Sequence, residues 1–255
     1  MHGTLNPTTG AEGGQGRGPV RGPVLDAVAA YDLVAPGYRE LSERRRGYLD
    51  AVDAEIIRRV PQGAASLIDV GAGDGRRALA IAERAGLSRV VLVEPSTGMR
   101  ELIPAGSEVW DERIESLSNS GRKFDVVLCL WNVLGHVPGR VLRVSALKNL
   151  ARVCSAGGLI FLDVINRYNV VECGIEVVAR RLLSSGDGDV PVRWKTSAGE
   201  VETVGHVFSA KEMTTLLPEA GLVKVEQIVL NYETGRREVC TVAGNLLYVL
   251  KSAAR

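Results

Sequence analysis

The chain has 255 residues, of which 45% are hydrophobic and 24% are charged, and its 31 basic residues nearly balance its 30 acidic ones. These values are typical of a soluble globular protein, and the length suits one domain with a large core. A net charge of +1 argues against a protein that binds nucleic acid by neutralising phosphates. No apolar run approaches the roughly 18 residues of a membrane span. The four cysteines form no CxxC pair, so we expect neither a disulfide framework nor a metal site.

Residues 1–23 differ in composition from the rest of the chain. They contain seven glycines, three prolines and almost no large apolar side chain. Such a segment cannot bury enough surface to offset the entropy of ordering, which predicts a disordered tail. It also lacks the features of a secretory signal, so we expect a cytoplasmic protein. Residues 24–255 are predicted to form a single domain.

Helical pattern opens this domain, and strands then alternate with helices. A short helix from Val24, a break at Ala35–Gly37 and a second helix over Glu40–Val60 come first. The alternation that follows is typical of an open parallel sheet covered on both faces. The predicted strands are Ser66–Val70, Arg89–Glu94, Glu108–Trp110, Phe124–Leu130, Leu159–Val164, Val223–Leu230 and Val239–Leu250. The predicted helices are Arg76–Ala85, Gly98–Ile103, Arg140–Val153, 170–184 and Lys211–Ala220. The last two strands have no helix between them, which predicts an antiparallel hairpin.

A glycine-rich turn follows the first of these strands, with the sequence Gly71-Ala72-Gly73-Asp74-Gly75. Glycines let the backbone turn tightly and approach a ligand closely, and the helix that follows offers free N–H groups. At the end of the next strand, Glu94 is placed to accept both hydrogen bonds of a ribose diol. The pattern predicts a nucleoside site, although an ordinary βα turn is the simpler interpretation.

The spacing of the glycines distinguishes two kinds of nucleoside site. A dinucleotide fingerprint, GxGxxG, needs a third glycine where this chain has Arg76, and the spacing here is GxGxG. Asp69, just before the turn, is of no use to a pyrophosphate. A ligand with a free ammonium group would instead pair with it. The turn therefore favours a ligand with a free ammonium group over a dinucleotide.

Two segments, Asp69-Val-Gly-Ala-Gly-Asp-Gly75 and Val93-Glu-Pro-Ser-Thr-Gly-Met99, resemble motif I and the following acidic motif of class I S-adenosylmethionine-dependent methyltransferases. Residues 113–117, 124–130 and 208–222 also resemble this family, so the resemblance covers about residues 31–250. It implies a Rossmann-like α/β fold, with a mostly parallel seven-stranded sheet and an antiparallel C-terminal hairpin. It also implies that S-adenosylmethionine is the cofactor and S-adenosylhomocysteine the product.

The resemblance assigns roles to residues around the turn. Gly71 and Gly73 would flank the methionine part, Glu94 would bind the ribose, Met99 would pack on the adenine, and the backbone of Ile114 would meet the adenine edge. The other cofactor-binding residues that it implies are Asp69, Ala72, Pro95 and Leu130. Arg113 departs from the family pattern, which often has aspartate there.

The acceptor is expected beyond the carboxyl ends of the strands. The segment Trp131–His136 resembles the corresponding loop of glycine N-methyltransferase-like enzymes. His136 is a candidate general base, because its ordinary pKa of about 6.5 suits proton transfer at neutral pH. It would equally serve to cap a helix or fix the loop. Asn132 is expected to bind the acceptor or orient the cofactor, and Trp131 to pack or to recognise the acceptor.

Further acceptor contacts are expected from other segments. Arg167 and Tyr168 follow the strand that ends at Val164; Arg167 would bind a carboxylate or form a surface ion pair. His206 is a second, weaker candidate base. The region of about residues 170–207 is expected to be an insertion that forms part of the acceptor pocket.

Residues 24–62 resemble the helical lid of the family. Tyr38 would donate to the acceptor or pack near the sulfonium, which makes it the second catalytic candidate. Arg44 is positioned like an arginine that pairs with the methionine carboxylate, but residues 44–46 would equally form a solvated helix face.

Several functions are compatible with these features. Methyl transfer to a small molecule, at nitrogen, oxygen or electron-rich carbon, is favoured, with bacterial specialised metabolism as its setting. A methyltransferase acting on a macromolecule is disfavoured because the chain has no basic stripe. A non-catalytic binding module would have lost the turn or Glu94, and an oxidoreductase is disfavoured by the GxGxG spacing. No nucleic acid or membrane partner is expected. The acceptor and the oligomeric state, a homodimer included, are open.

Overall fold

A computed structural model of the protein describes residues 24–118, 121–184, 186–196 and 199–253. The tail predicted for residues 1–23 lies outside the described residues. None of the helices that these residues form has the length and apolarity that crossing a membrane requires.

Strands and helices alternate along most of the chain, as predicted. The strands are β1 (Val24–Leu25), β2 (Ser66–Val70), β3 (Arg89–Val93), β4 (Glu108–Trp110), β5 (Phe124–Cys129), β6 (Cys154–Val164), β7 (Asp189–Thr196), β8 (Gly199–His206), β9 (Leu222–Leu230), β10 (Arg237–Glu238) and β11 (Asn245–Ser252). The α-helices are α1 (Ala27–Val34), α2 (Tyr38–Glu43), α3 (Arg46–Ile57), α4 (Arg76–Ala85), α5 (Thr97–Arg100), α6 (Gly139–Val153), α7 (Val170–Cys173), α8 (Ile175–Leu183) and α9 (Ala210–Glu219). Short 3₁₀ turns lie at Ala35–Gly37, Ile114–Ser116, Val133–His136 and Thr241–Ala243.

The larger sheet has the strand order β10-β9-β11-β6-β5-β2-β3-β4. Strands β2 to β6 pair in parallel, whereas β11 lies between β6 and β9 and runs antiparallel to both. The predicted fold and its C-terminal hairpin are therefore confirmed. Within the described residues this sheet has eight strands rather than seven, because the two-residue β10 pairs with the end of β9.

The core lies on both faces of this sheet. Side chains that alternate along β2 and β5 point to opposite faces, which is why both strands are mostly apolar. On one face they meet α6 and α9, with Leu147 and Met213 fully buried. On the other face they meet α3 and α4, with Ile56 and Ile81 buried. The candidate site lies at the carboxyl ends of the parallel strands.

The N-terminal segment and the predicted insertion form a second layer. Strand β1 pairs in parallel with β8, and β8 pairs antiparallel with β7. The expected helix over Glu40–Val60 is divided, since α2 ends at Glu43 and α3 begins at Arg46. The helix expected over residues 170–184 is likewise divided at Gly174, whose φ of +80° lies in the left-handed region.

Candidate active site

The glycine turn after β2 places backbone atoms without Cβ atoms at the site. Gly71 and Gly73 have φ angles of +79° and +60°, which favour glycine. A Cβ on Gly73 would lie 2.8 Å from the Tyr38 hydroxyl, and one on Gly71 would lie 2.5 Å from a methyl group of Val133. A side chain at either position would therefore collide with Val133 or Tyr38.

Glu94 fixes this turn from the end of β3. One carboxylate oxygen accepts the Gly73 N–H at 2.8 Å, and the other accepts the Ser96 N–H at 2.8 Å. Burial raises the pKa of Glu94 to about 7, although both N–H groups favour the ionised form. Each oxygen keeps a further lone pair, so the carboxylate can still accept hydrogen bonds from a diol.

In the described part of the chain, two adjoining cavities lie at this edge of the sheet. The smaller, of about 100 Å³, is enclosed by the glycine turn, α1 and residues 112–115. Its lining includes six of the residues predicted to bind the cofactor: Gly71, Gly73, Glu94, Pro95, Ile114 and Leu130. The larger, of about 410 Å³, lies between α1, α8 and the β7–β8 hairpin.

Three other predicted cofactor residues, Asp69, Ala72 and Met99, are buried beside the turn and line neither cavity. Met99 lies beneath Gly73, with its methyl group 3.3 Å from the position of a Cβ there. Burial raises the pKa of Asp69 to about 7, against the nearby positive charge of Arg77. An ammonium group in the cavity would thus meet the glycine backbone before Asp69.

Arg77 belongs to a buried polar cluster that the sequence analysis missed. Its guanidinium pairs with Asp53 at 2.6 Å. Nearby, Asp163 of β6 accepts the Tyr48 hydroxyl at 2.5 Å and the Trp131 N–H at 3.0 Å. In the sequence, the cluster could have been found from Asp163, a carboxylate at the end of an otherwise apolar strand.

The loop after β5 has an unusual backbone. Trp131 and Asn132 have φ angles of +54° and +63°, a conformation that costs free energy in residues other than glycine and is found at functional sites. The Asn132 amide donates to the His206 carbonyl at 3.2 Å and accepts the Ile165 N–H at 3.0 Å. Its side chain therefore fixes the loop, and the residue also lines the larger cavity, so its predicted role at the acceptor or the cofactor stays a prediction.

Trp131 combines packing with a position on both cavities. Its indole N–H donates to the Tyr232 hydroxyl at 3.0 Å, and its ring lies 5.8 Å from that of Tyr38. Tyr38 also lines both cavities. Burial raises the pKa of Tyr38 well above its ordinary value, so its hydroxyl remains a proton donor.

His136 lies where the two cavities meet. Its Nε2 is 3.2 Å from the Tyr31 hydroxyl, and its ring lies 6.1 Å from that of Trp194. Its Nδ1 is buried and has no hydrogen-bond partner among the described residues. Burial lowers the pKa of His136 to about 4, so the ring is neutral at neutral pH.

Ion pairs and hydrogen bonds hold α1 over the smaller cavity. Asp32 accepts the Ser96 hydroxyl at 2.6 Å and the Gly98 N–H at 2.9 Å. Asp26, which caps α1, accepts from Arg113 at 2.8 Å. The arginine that departs from the family pattern therefore joins the floor of the cavity to its lid.

The remaining predicted residues have other surroundings. Arg44 lines the larger cavity, but its guanidinium pairs with Glu40 at 2.6 Å. Arg167 and Tyr168 pack on each other and line neither cavity, and their contact with the acceptor stays a prediction.

His206 lies between two carboxylates and lines the larger cavity. Its Nδ1 lies 2.5 Å from Asp189 and its Nε2 lies 2.9 Å from Glu212. The imidazole thereby joins β7, β8 and α9 at the wall of the larger cavity, and its role as a base stays a prediction.

Comparisons with known proteins agree with this geometry. A family model described as a methyltransferase domain matches residues 41–227. The CcbJ methyltransferase from Streptomyces caelestis is 17% identical over 80% of this chain and 90% of its own, with a TM-score of 0.61. CalS10, an amino pentose methyltransferase from Micromonospora echinaspora solved with S-adenosylmethionine bound, is 20% identical over 85% and 97%, with a TM-score of 0.56. A search of curated proteins found no match.

Since the family model spans more than half of the chain, the protein belongs to the methyltransferase domain family. Its fold is that of the class I S-adenosylmethionine-dependent methyltransferases, as the resemblance implied. The smaller cavity has the chemistry to hold the nucleoside end of this cofactor. It offers glycine backbone without Cβ atoms, a carboxylate for a ribose, and apolar walls at Pro95 and Ile114.

The raised pKa of Glu94 predicts that cofactor affinity depends on pH. Ribose hydroxyls would donate to the ionised carboxyl, which is populated above pH 7 and lost as the pH falls. Calorimetric affinity for S-adenosylhomocysteine should therefore fall by up to about tenfold per pH unit below pH 7. Asp69 titrates in the same range, so the Glu94→Gln variant is the necessary comparison. It should bind more weakly at about pH 8 and show a flatter pH profile. Wild-type affinity in this variant would contradict the assignment.

Proposed function

We propose that the protein transfers a methyl group from S-adenosylmethionine to a small molecule held in the larger cavity. The observation that carries this proposal is the junction of the two cavities. Among the described residues, four aromatic or imidazole side chains line both: Tyr31, Tyr38, Trp131 and His136. A bound cofactor supplies a methyl group on a positively charged sulfur, open to in-line displacement by a nucleophile from the second cavity.

The dimensions of the larger cavity support a small acceptor. A volume of about 410 Å³ is within the range of about 300–1,000 Å³ usual for small-molecule sites. The β7–β8 hairpin covers it on one side, and Tyr31 and Val34 of α1 line it on another. A polymer would have to displace these elements to reach His136. The sugar N-methyltransferase KedS8, which is 20% identical, shares the fold.

The junction is suited to holding a cation away from water. The faces of Tyr31, Tyr38 and Trp131 carry negative potential, which stabilises a sulfonium by cation–π interaction. Their bulk also excludes solvent, and positioning of the two reactants can supply much of the reduction in the barrier. The Tyr38 hydroxyl, next to Gly73, would donate to a group on either side of the junction.

His136 is the proposed acceptor of a proton from the methyl acceptor. With Nε2–H donating to Tyr31, the lone pair is on the buried Nδ1, which the methyl acceptor must uncover in order to reach it. The lowered pKa keeps the ring neutral across the neutral range, and it also makes the ring a weaker base than an ordinary imidazole. Tyr31 sets the orientation of the ring and is a positioning residue.

A direct test of the proposed function supplies acceptors of different size. S-adenosylhomocysteine release is measured with S-adenosylmethionine and a bacterial extract divided by ultrafiltration. We expect release with the small-molecule filtrate, and loss of that release in Gly73→Val, where a branched side chain would occupy the turn. Release only with the retained macromolecules would contradict a small acceptor.

The His136→Ala variant tests the role of the imidazole. Loss of a general base is expected to lower kcat by about 10²–10⁴ with little change in S-adenosylhomocysteine affinity. Because the pKa of His136 is about 4, the wild-type profile of kcat, measured with saturating S-adenosylmethionine so that Glu94 does not limit it, should show no ascending limb near the ordinary histidine pKa of about 6.5. A near-normal kcat in the variant would exclude the base role.

A further inference from the structure

Arginines dominate the charged lining of the larger cavity. Among the residues described, four arginines and one glutamate line it: Arg44, Arg45, Arg181, Arg193 and Glu172. Arg44 pairs with Glu40 at 2.6 Å, Arg45 with Glu172 at 3.1 Å, and Arg193 with Glu202 at 2.7 Å. These three carry their own counter-charges.

Arg181, on α8, differs from the other three. No carboxylate of the described residues lies within 4 Å of its guanidinium. Its Nη1 donates to the Arg167 carbonyl at 2.8 Å and to the Cys173 sulfur at 3.3 Å, and these contacts fix the side chain. Holding a half-buried guanidinium without a counter-ion costs free energy of folding, and a bound anion would offset that cost by pairing with it.

Arg45 brings a second positive charge to the same wall. Its guanidinium lies 4.2 Å above the Tyr232 ring and donates to Glu172. Glu172 and Cys173 are consecutive in α7 and contact Arg45 and Arg181 respectively. Helix α7 thus gathers two guanidinium groups around one carboxylate, which leaves this wall with net positive charge.

We propose that Arg181 binds an anionic oxygen group of the methyl acceptor, either a carboxylate or a phosphate. The proposal rests on the proposed function, since it places the acceptor in this cavity. The planar fork of a guanidinium matches the paired oxygens of both groups. The same cavity extends to His136 and Trp194. The acceptor therefore carries its anionic group toward α7 and α8, and its nucleophile toward the junction.

The test uses anions alone, because it does not need the natural acceptor. Protein saturated with S-adenosylhomocysteine is titrated calorimetrically with succinate and, separately, with inorganic pyrophosphate. We expect the wild type to bind at least one of them, and Arg181→Gln to bind it about tenfold or more weakly, as for loss of a charge-assisted hydrogen bond. The anion that binds with the higher affinity shows whether the acceptor's group is a carboxylate or a phosphate. Arg193→Gln, which removes an arginine that has its own partner, is the matched control and should change the affinity less than about threefold.

Arg181→Lys separates charge from folding. It should keep more of the anion affinity than Arg181→Gln, and all variants should keep wild-type affinity for S-adenosylhomocysteine. Absence of anion binding in the wild type, or equal binding in Arg181→Gln, would overturn the anionic subsite while leaving the proposed function intact. Failure of the wild type to bind S-adenosylhomocysteine would instead refute the proposed function.

Discussion

The hydrogen bonds of the Glu94 carboxylate are the interaction on which the site depends. They join the glycine turn after β2, through the Gly73 N–H, to the start of α5, through the Ser96 N–H. Ser96 in turn donates its hydroxyl to Asp32 of α1. A single buried carboxylate therefore sets the floor of the cofactor cavity and, through one further contact, the position of its lid. Its burial raises its pKa to about 7, so the price of this organisation is a group that titrates near neutrality.

The strained loop after β5 completes the arrangement. Trp131 and Asn132 keep left-handed backbone angles because Asp163 and the Asn132 amide hold the loop from β6. This places Trp131 and His136 on the border between the two cavities. Strain at such a position is common where a side chain must be held in one geometry for chemistry. The two cavities thus share a wall that includes Trp131 and His136.

The sequence pattern predicted those strands and helices whose bounds are set by neighbouring residues in the chain. The bounds of β2, α4 and β4 were predicted to the residue, because apolar runs and glycines mark them. The site depends more on tertiary contacts. The sequence placed Arg167 after a strand at the correct edge of the sheet, but it packs on Tyr168, and Arg181, 14 residues later, lines the cavity. The distance of Arg181 from any carboxylate depends on how α8 packs, which no spacing in the sequence records.

The central claim, that the backbone at Gly73 contacts the cofactor, is tested most directly by two matched substitutions. Gly73 and Gly86 have similar φ angles, +60° and +70°, so both hold a backbone conformation that strains alanine. Only at Gly73 would its Cβ meet the site, 2.8 Å from the Tyr38 hydroxyl, whereas Gly86 faces open space. S-adenosylhomocysteine affinity is measured calorimetrically on both variants. The account predicts wild-type affinity in Gly86→Ala and a loss of about tenfold or more in Gly73→Ala. Equal affinity in the two folded variants would contradict it.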